Sequence, residues 1–204
     1  MLDPILRRTR GRLPHWTAAD ATYFVTFRLF DSLPKELVDR FVFERRNIIQ
    51  TAKQMRRELS GAERNRLHQL RIQIDSYLDQ SHGKCYMRDE AIASMVAGAL
   101  QYFEGVRYHL LAWCVMPNHV HSVVQLLENW ELKQVLHSWK SFTAHQAVQK
   151  YHCSKPFWQV ESYDHIFRTE TELERAITYV ENNPIAAGLM DWKWVSNRAN
   201  PVRD

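Results

Sequence analysis

His119 and His121 flank a single valine in CVMPNHVHSVVQLLE, residues 114–128. In an extended chain, residues i and i+2 leave the backbone on the same side. The two imidazoles therefore project together while Val120 turns to the core. Two imidazoles on one rigid face are well placed to hold a divalent ion. The plainer alternative is a pair of structural histidines, each satisfied by a hydrogen bond. Two histidines do not complete a site, and the last helical stretch, TELERAITYVENNP (171–184), offers a third ligand and a nucleophile. Tyr179 and Asn183 are four residues apart and share a helix face. They border the apolar stripe Leu173, Ala176, Ile177 and Val180, where a side chain can look into a cleft at the core's edge. Taken singly, Tyr179 also reads as an amphipathic packing residue, and Asn183 as a residue closing a helix before Pro184.

The elements that must position these groups follow from periodicity. TYFVTFRLF (22–30) is aromatic and β-branched and predicts a strand. SLPKELVDRFVFERRNIIQ predicts a helix with Ser32 as its cap, Pro34 in its first turn, and Leu37, Phe41 and Ile48 at helical spacing. Leu67, Leu70, Ile74 and Leu78 define the face of another helix. A third starts near Asp89, with Ile92, Val96, Ala99, Leu100 and Phe103 aligned. Residues 106–117 and 119–127 predict two strands joined by the short Met-Pro-Asn turn, hence an antiparallel hairpin. Residues 130–151 predict a long helix with Leu132, Val135, Leu136, Trp139 and Phe142 on one side. Residues 157–167 read as a short strand or extended segment. Residues 171–183 read as a helix stopped by Pro184. This order predicts an α+β fold, an antiparallel sheet with packed helices and a charged helical insertion, about 33–80, after the first strand.

At 204 residues the chain is expected to be a single domain, 1–204, with a basic N-terminal arm over 1–21. No apolar run is long enough to span a membrane. The three cysteines, Cys85, Cys114 and Cys153, suit neither a disulfide framework nor a cysteine zinc site, and a reducing cytoplasm is the expected compartment. The net charge is +4 with a pI of about 9.0, a pointer to a polyanion. Positive charge gathers in RRTRGR (Arg7, Arg8, Arg10, Arg12), in ERRNIIQTAKQMRRE and in RNRLHQLR. Seven Trp and eight Tyr accompany it, and aromatic rings stack on unpaired bases. A solvated surface is the competing account of each cluster.

VMPNHVHSVV followed by AITYVENNPIAAGLM resembles the HUH transposases with one catalytic tyrosine. RGRLPHW, TYFVTFRL, FWQVESYDHIFR and YVENNPIAAGL resemble the branch of tyrosine transposases associated with bacterial repetitive extragenic palindromic (REP) elements. The resemblance covers nearly the whole chain, and the long charged helical segment is the departure from compact members. It implies a ferredoxin-like HUH core. It implies that Tyr179 is the nucleophile and that His119, His121 and Asn183 hold Mg²⁺ or Mn²⁺. Two histidines with an amide suit a hard, oxygen-preferring ion over zinc. The implied activity is metal-dependent nicking and joining of single-stranded DNA at hairpin-forming, REP-like palindromes through a 5′-phosphotyrosine, in a nucleoid-associated monomer or homodimer. Arg7, Arg8, Arg10, Arg12, His15 and Trp16 are the expected contacts to the hairpin and its flank. Arg168 is a further expected phosphate contact, with a structural ion pair as its alternative. Asp164 and His165 are candidates to line the cleft, and Arg175 to steer the backbone. Two other readings stand beside this one. The first is a hairpin-binding protein of the same fold that does not cleave. The second is a small-phosphoester hydrolase, which the basic charge and the lack of a carboxylate-rich site disfavour.

Overall fold

The computed structural model describes the backbone of residues 6–7 and 16–17 and, with side chains, residues 21–167 and 169–196. In chain order the elements are β1 (Leu6–Arg7), β2 (Trp16–Thr17), β3 (Thr22–Arg28), α1 (Lys35–Gln54), α2 (Gly61–Asp79), α3 (Glu90–Gln101), β4 (Tyr108–Val115), β5 (His119–Leu126), α4 (Leu132–Tyr151), β6 (Tyr163–Ile166) and α5 (Glu170–Ala186). The short β1 and β2 pair antiparallel, Leu6 with Thr17 and Arg7 with Trp16. The chain divides into two compact units. One holds the residues up to Phe30 and those from Tyr86 onward, and the other is Asp31–Cys85.

In the first unit four strands form one sheet in the order β4-β5-β3-β6, every neighbouring pair antiparallel. Leaving the second unit aside, the core runs β-α-β-β-α-β, the α+β architecture expected from the sequence. The β4–β5 hairpin closes through Pro117 and Asn118, where Met116 N–H donates to His119 O at 2.8 Å. The turn's own carbonyls are used as well: Leu29 N–H donates to Asn118 O and Met87 N–H to Pro117 O. The turn that precedes the histidines is thus tied down from two sides.

Both faces of the sheet are covered, so β3 and β5 are buried along nearly their whole length. One face carries Tyr23, Val25, Phe27, Val120 and Val124 and packs beneath Ile92, Val96 and Leu100 of α3 and Val135 and Trp139 of α4. Asp89 caps α3, its Oδ1 accepting from Ala91 N–H at 2.8 Å. The other face carries Phe24, Ala112, Cys114 and Val123 under Ile177 and Val180 of α5. Thr169 caps α5 through Glu172 N–H.

The second unit is a pair of helices. Ser60 and Glu63 form a reciprocal capping box at the start of α2, and Arg57 grips Glu63 with both guanidinium nitrogens at 2.7 and 2.8 Å. Leu70 and Leu78 of the expected α2 stripe are buried, as is Phe41 of α1. The unit's ends meet where Lys84 N–H donates to Asp31 Oδ2 at 2.9 Å. Gly83 sits there at φ +84°, and a Cβ on it would come within 2.5 Å of Asp31 O.

Four local expectations are corrected. Ser32 is buried and does not cap α1; Pro34 holds the N-cap position, with no side-chain hydrogen bond. Phe142 is 51% exposed, because it lies a position away from the Leu132, Val135, Trp139 stripe that enters the core. The 157–167 segment is paired only over Tyr163–Ile166, apart from an isolated bridge between Leu29 and Trp158. Finally, α5 passes through Pro184 to Ala186. A proline in a last turn forfeits one hydrogen bond, and the stop falls later. Leu189 N–H donates to Pro184 O at 2.8 Å around Gly188, whose φ of +77° is left-handed.

Candidate functional site

Strand register assembles the site. Thr26 stands opposite His121 and Arg28 opposite His119 on β5, while Tyr163 of β6 stands opposite Thr26. The alternation that sends Val120 into the α3–α4 core sends His119 and His121 toward α5. Both histidines are fully buried, and their Nε2 atoms lie 3.0 Å apart with the rings nearly perpendicular, at 78°.

The outer nitrogens are held from behind. His119 Nδ1 lies 2.7 Å from Asn118 Oδ1. An amide oxygen can only accept, so His119 carries its proton on Nδ1 and presents a bare lone pair at Nε2. Burial keeps His119 neutral, its pKa pushed down to about 3. The contact between the two Nε2 atoms then requires His121 to donate from Nε2 and to accept at Nδ1 from the Thr26 hydroxyl, 2.7 Å away. A hydroxyl can also accept. When Thr26 does so, the His121 proton rests on Nδ1 and both Nε2 lone pairs are available together.

Tyr179 closes the site from α5. Its ring centroid is 5.4 Å from that of His121 and 6.0 Å from that of Phe24. Phe24, 5.5 Å from His121, is the shared floor. One turn further along α5, Asn183 is 2% exposed, and its Oδ1 is buried with no hydrogen bond among the described residues. An orphaned buried amide oxygen costs on the order of 1–3 kcal/mol, a cost that a ligand for that oxygen would remove. Among the described residues no three His, Cys, Asp or Glu side chains are grouped to hold a metal. The donors that fit a hard divalent ion here are two imidazole nitrogens and one amide oxygen.

The other expected site residues are distributed as follows. Tyr163 approaches Phe24 at 6.4 Å edge-on. His165, opposite Phe24 in register, is exposed. Asp164 pairs with Val25 and so belongs to the opposite face of the sheet, where its charge helps to raise the Tyr23 pKa. Arg175 is exposed on α5. Arg8, Arg10, Arg12, His15 and Arg168 lie outside the described residues, as do the side chains of Arg7 and Trp16. Sequence reasoning passed over Thr26, Asn118 and Phe24. Asn118 was visible beside His119 but read as a turn residue. Thr26 left one signal, a hydroxyl amid a run of apolar side chains.

Residues 86–183 match the family described as "Transposase IS200 like". The matched stretch opens where the helical unit ends and closes on Asn183. Over 134 residues the chain is 25% identical to a putative REP-associated tyrosine transposase of Haemophilus influenzae, covering 57% of this chain and 74% of the relative. Its fold is similar to that of a REP-associated tyrosine transposase solved bound to a REP hairpin. That similarity has a TM-score of 0.54 at 13% identity and covers 95% of this chain and 85% of the other. Among the described residues no helix is long and apolar enough to cross a membrane.

Proposed function

We propose that this chain, whose residues 86–183 match the IS200-like transposase family, nicks and rejoins single-stranded DNA beside hairpin-forming palindromes through a 5′-phosphotyrosine on Tyr179. The observation that carries the reading is the convergence of the His119 and His121 Nε2 atoms, with the Tyr179 ring edge-to-face against His121. The REP hairpin bound by a protein of the same fold supports a hairpin as the partner.

Tyr179 Oη attacks the scissile phosphorus, forming an O–P bond as the bond from phosphorus to the 3′-oxygen breaks. The phenol gives up its proton, and the departing 3′-oxygen takes one up. An ordinary phenol has a pKa of about 10, so the reaction depends on where the phenol is held. The turn from Tyr179 to Asn183 keeps nucleophile and amide on one rigid helix, and Phe24 fixes the ring. His119, His121 and Asn183 would hold Mg²⁺ or Mn²⁺, which when bound neutralises charge on the phosphate oxygens. One phosphodiester replaces another, so a 3′-hydroxyl can later attack the phosphotyrosine and rejoin the strand without ATP. The three cysteines are buried and outside any disulfide, which suits a reducing cytoplasm.

The test is adduct formation on a labelled hairpin oligonucleotide with a single-stranded flank, in Mg²⁺ or Mn²⁺. Wild type is expected to give a covalent species resistant to denaturing gels, and peptide mapping is expected to place the nucleotide on Tyr179. Tyr179→Phe is expected to fold and bind the hairpin but form no adduct. An adduct on Tyr163 or Tyr151 would overturn the assignment. Tight hairpin binding with no adduct in either metal would make the protein a non-cleaving binder.

A further inference from the structure

Arg28 ends β3 directly across from His119, so its side chain leaves the sheet on the histidine face. It is half-buried. Among the described residues its guanidinium makes no hydrogen bond and no ion pair, although it carries five donors. Burial lowers its pKa, and Glu161 acts the other way from beyond ion-pair distance. A second cation is close by. Lys140 feels the charge of Arg28, and its own ammonium is spent on Gln159 O at 2.7 Å, Val160 O at 2.8 Å and Ser162 Oγ at 3.2 Å. Two cations faced by one carboxylate, one of them with its donors unspent, make a place for an anion.

The position is specific. Along the face the register runs Phe24 with Val123, Thr26 with His121, then Arg28 with His119. Tyr179 packs at the Phe24–His121 end, its ring tilted against Phe24 and edge-to-face with His121, and Arg28 stands at the other end. In an in-line displacement the nucleophile and the leaving group occupy opposite sides of phosphorus. Resting on the function proposed above, we infer that Arg28 is a substrate-binding residue. It grips a backbone phosphate of the strand that departs with the 3′-hydroxyl, on the far side of the histidine pair from Tyr179.

The experiment measures affinity for a hairpin oligonucleotide with a single-stranded flank, in Mg²⁺ on the Tyr179→Phe background to prevent cleavage. Neutral methylphosphonates are placed one at a time along the flank. Arg28→Gln is expected to weaken binding about tenfold, as loss of one charge-assisted contact implies. It is also expected to reduce the slope of log affinity against log salt by about 0.7. At one flank position on the 3′-hydroxyl side, the methylphosphonate should weaken the Arg28 protein but leave Arg28→Gln unchanged. Arg28→Lys should keep most of the salt slope and bind less tightly. The melting temperature of Arg28→Gln should equal or exceed that of the parent, because no internal partner is lost, whereas a structural arginine would lower it. Equal affinity and slope in Arg28→Gln would overturn the inference, as would additive effects of the variant and every methylphosphonate. If the parent protein itself does not bind the flanked hairpin, the function proposed above fails, and this inference with it.

Discussion

On the α3–α4 face of the sheet, Trp139 Nε1–H donates to Tyr108 Oη at 2.8 Å, and Tyr108 Oη donates on to Leu100 O at 2.7 Å. Trp158 Nε1–H donates to Thr143 Oγ1 at 2.8 Å, and that hydroxyl donates to Trp139 O at 2.6 Å. On the α5 face the His119 and His121 Nε2 atoms meet each other, Asn183 Oδ1 accepts nothing among the described residues, and Arg28 has no partner there. Both faces are buried. The first spends most of its polar atoms on itself in such chains, with Ser122 Oγ and Arg107 Nε as exceptions among the described residues. The second leaves the Asn183 oxygen and the Arg28 guanidinium without a partner among the described residues. Burying a polar atom without a partner costs on the order of 1–3 kcal/mol. On the function proposed above, the face that accumulates such atoms is the one expected to bind, and the face that cancels them the one expected to carry stability.

That contrast is sharpest if changes on one face cost activity and changes on the other cost stability. The largest effect is expected from His121→Ala, which removes one of the two converging nitrogens. Adduct formation should fall to background while hairpin affinity stays close to wild type; wild-type adduct rates at the same metal concentration would break the comparison.

Asn183→Ala comes next. It deletes a buried oxygen that has no internal acceptor role, so thermal melting should show little loss or a small gain. Adduct formation should nevertheless drop about 10–100-fold and need more metal, the scale seen when a site's ligands are disturbed. A variant that melts markedly lower yet keeps full activity would move Asn183 to the structural side.

Thr26→Val keeps the shape and removes the hydroxyl that fixes the His121 proton. About tenfold weaker metal dependence of the adduct reaction is expected, read as a shift in the metal concentration for half-maximal rate. No shift would show that Thr26 does not set the tautomer.

On the opposite face, Trp139→Phe breaks the chain to Tyr108. A loss of about 1–3 kcal/mol in urea unfolding is expected, with adduct formation per folded molecule unchanged. The smallest effect concerns Tyr23, whose pKa is pushed up to about 12 by burial and then by Asp164. A raised folded pKa means that its contribution to stability is complete below pH 10 and is lost as pH climbs toward 12. The urea midpoint of wild type should therefore fall across that window, and that of Tyr23→Phe should fall less.

Much of this was legible in the sequence because it rests on local periodicity. Two residues apart in a strand, or four apart in a helix, means one face in any protein, so His119 with His121 and Tyr179 with Asn183 could be paired from spacing alone. The β4–β5 hairpin was legible from its turn. The misreadings were also local. Pro184 looks like a stop, yet a proline in the last turn costs one hydrogen bond, and Gly188 sets the end. Phe142 is apolar, yet it lies just off the stripe that the core accepts.

What the sequence alone determined, then, is which groups travel together on each element, since backbone geometry fixes that within a few residues. It could not decide that α5 would lie against β4 and β5, or that Thr26 would reach His121 across 95 residues. Nor could it decide that Arg28 would face His119. Those depend on strand order and on which side of the sheet each helix covers. Burial from both sides is a tertiary property too. It keeps His119 a neutral imidazole and leaves the amide oxygen of an ordinary Asn-Pro helix end buried without a hydrogen bond among the described residues.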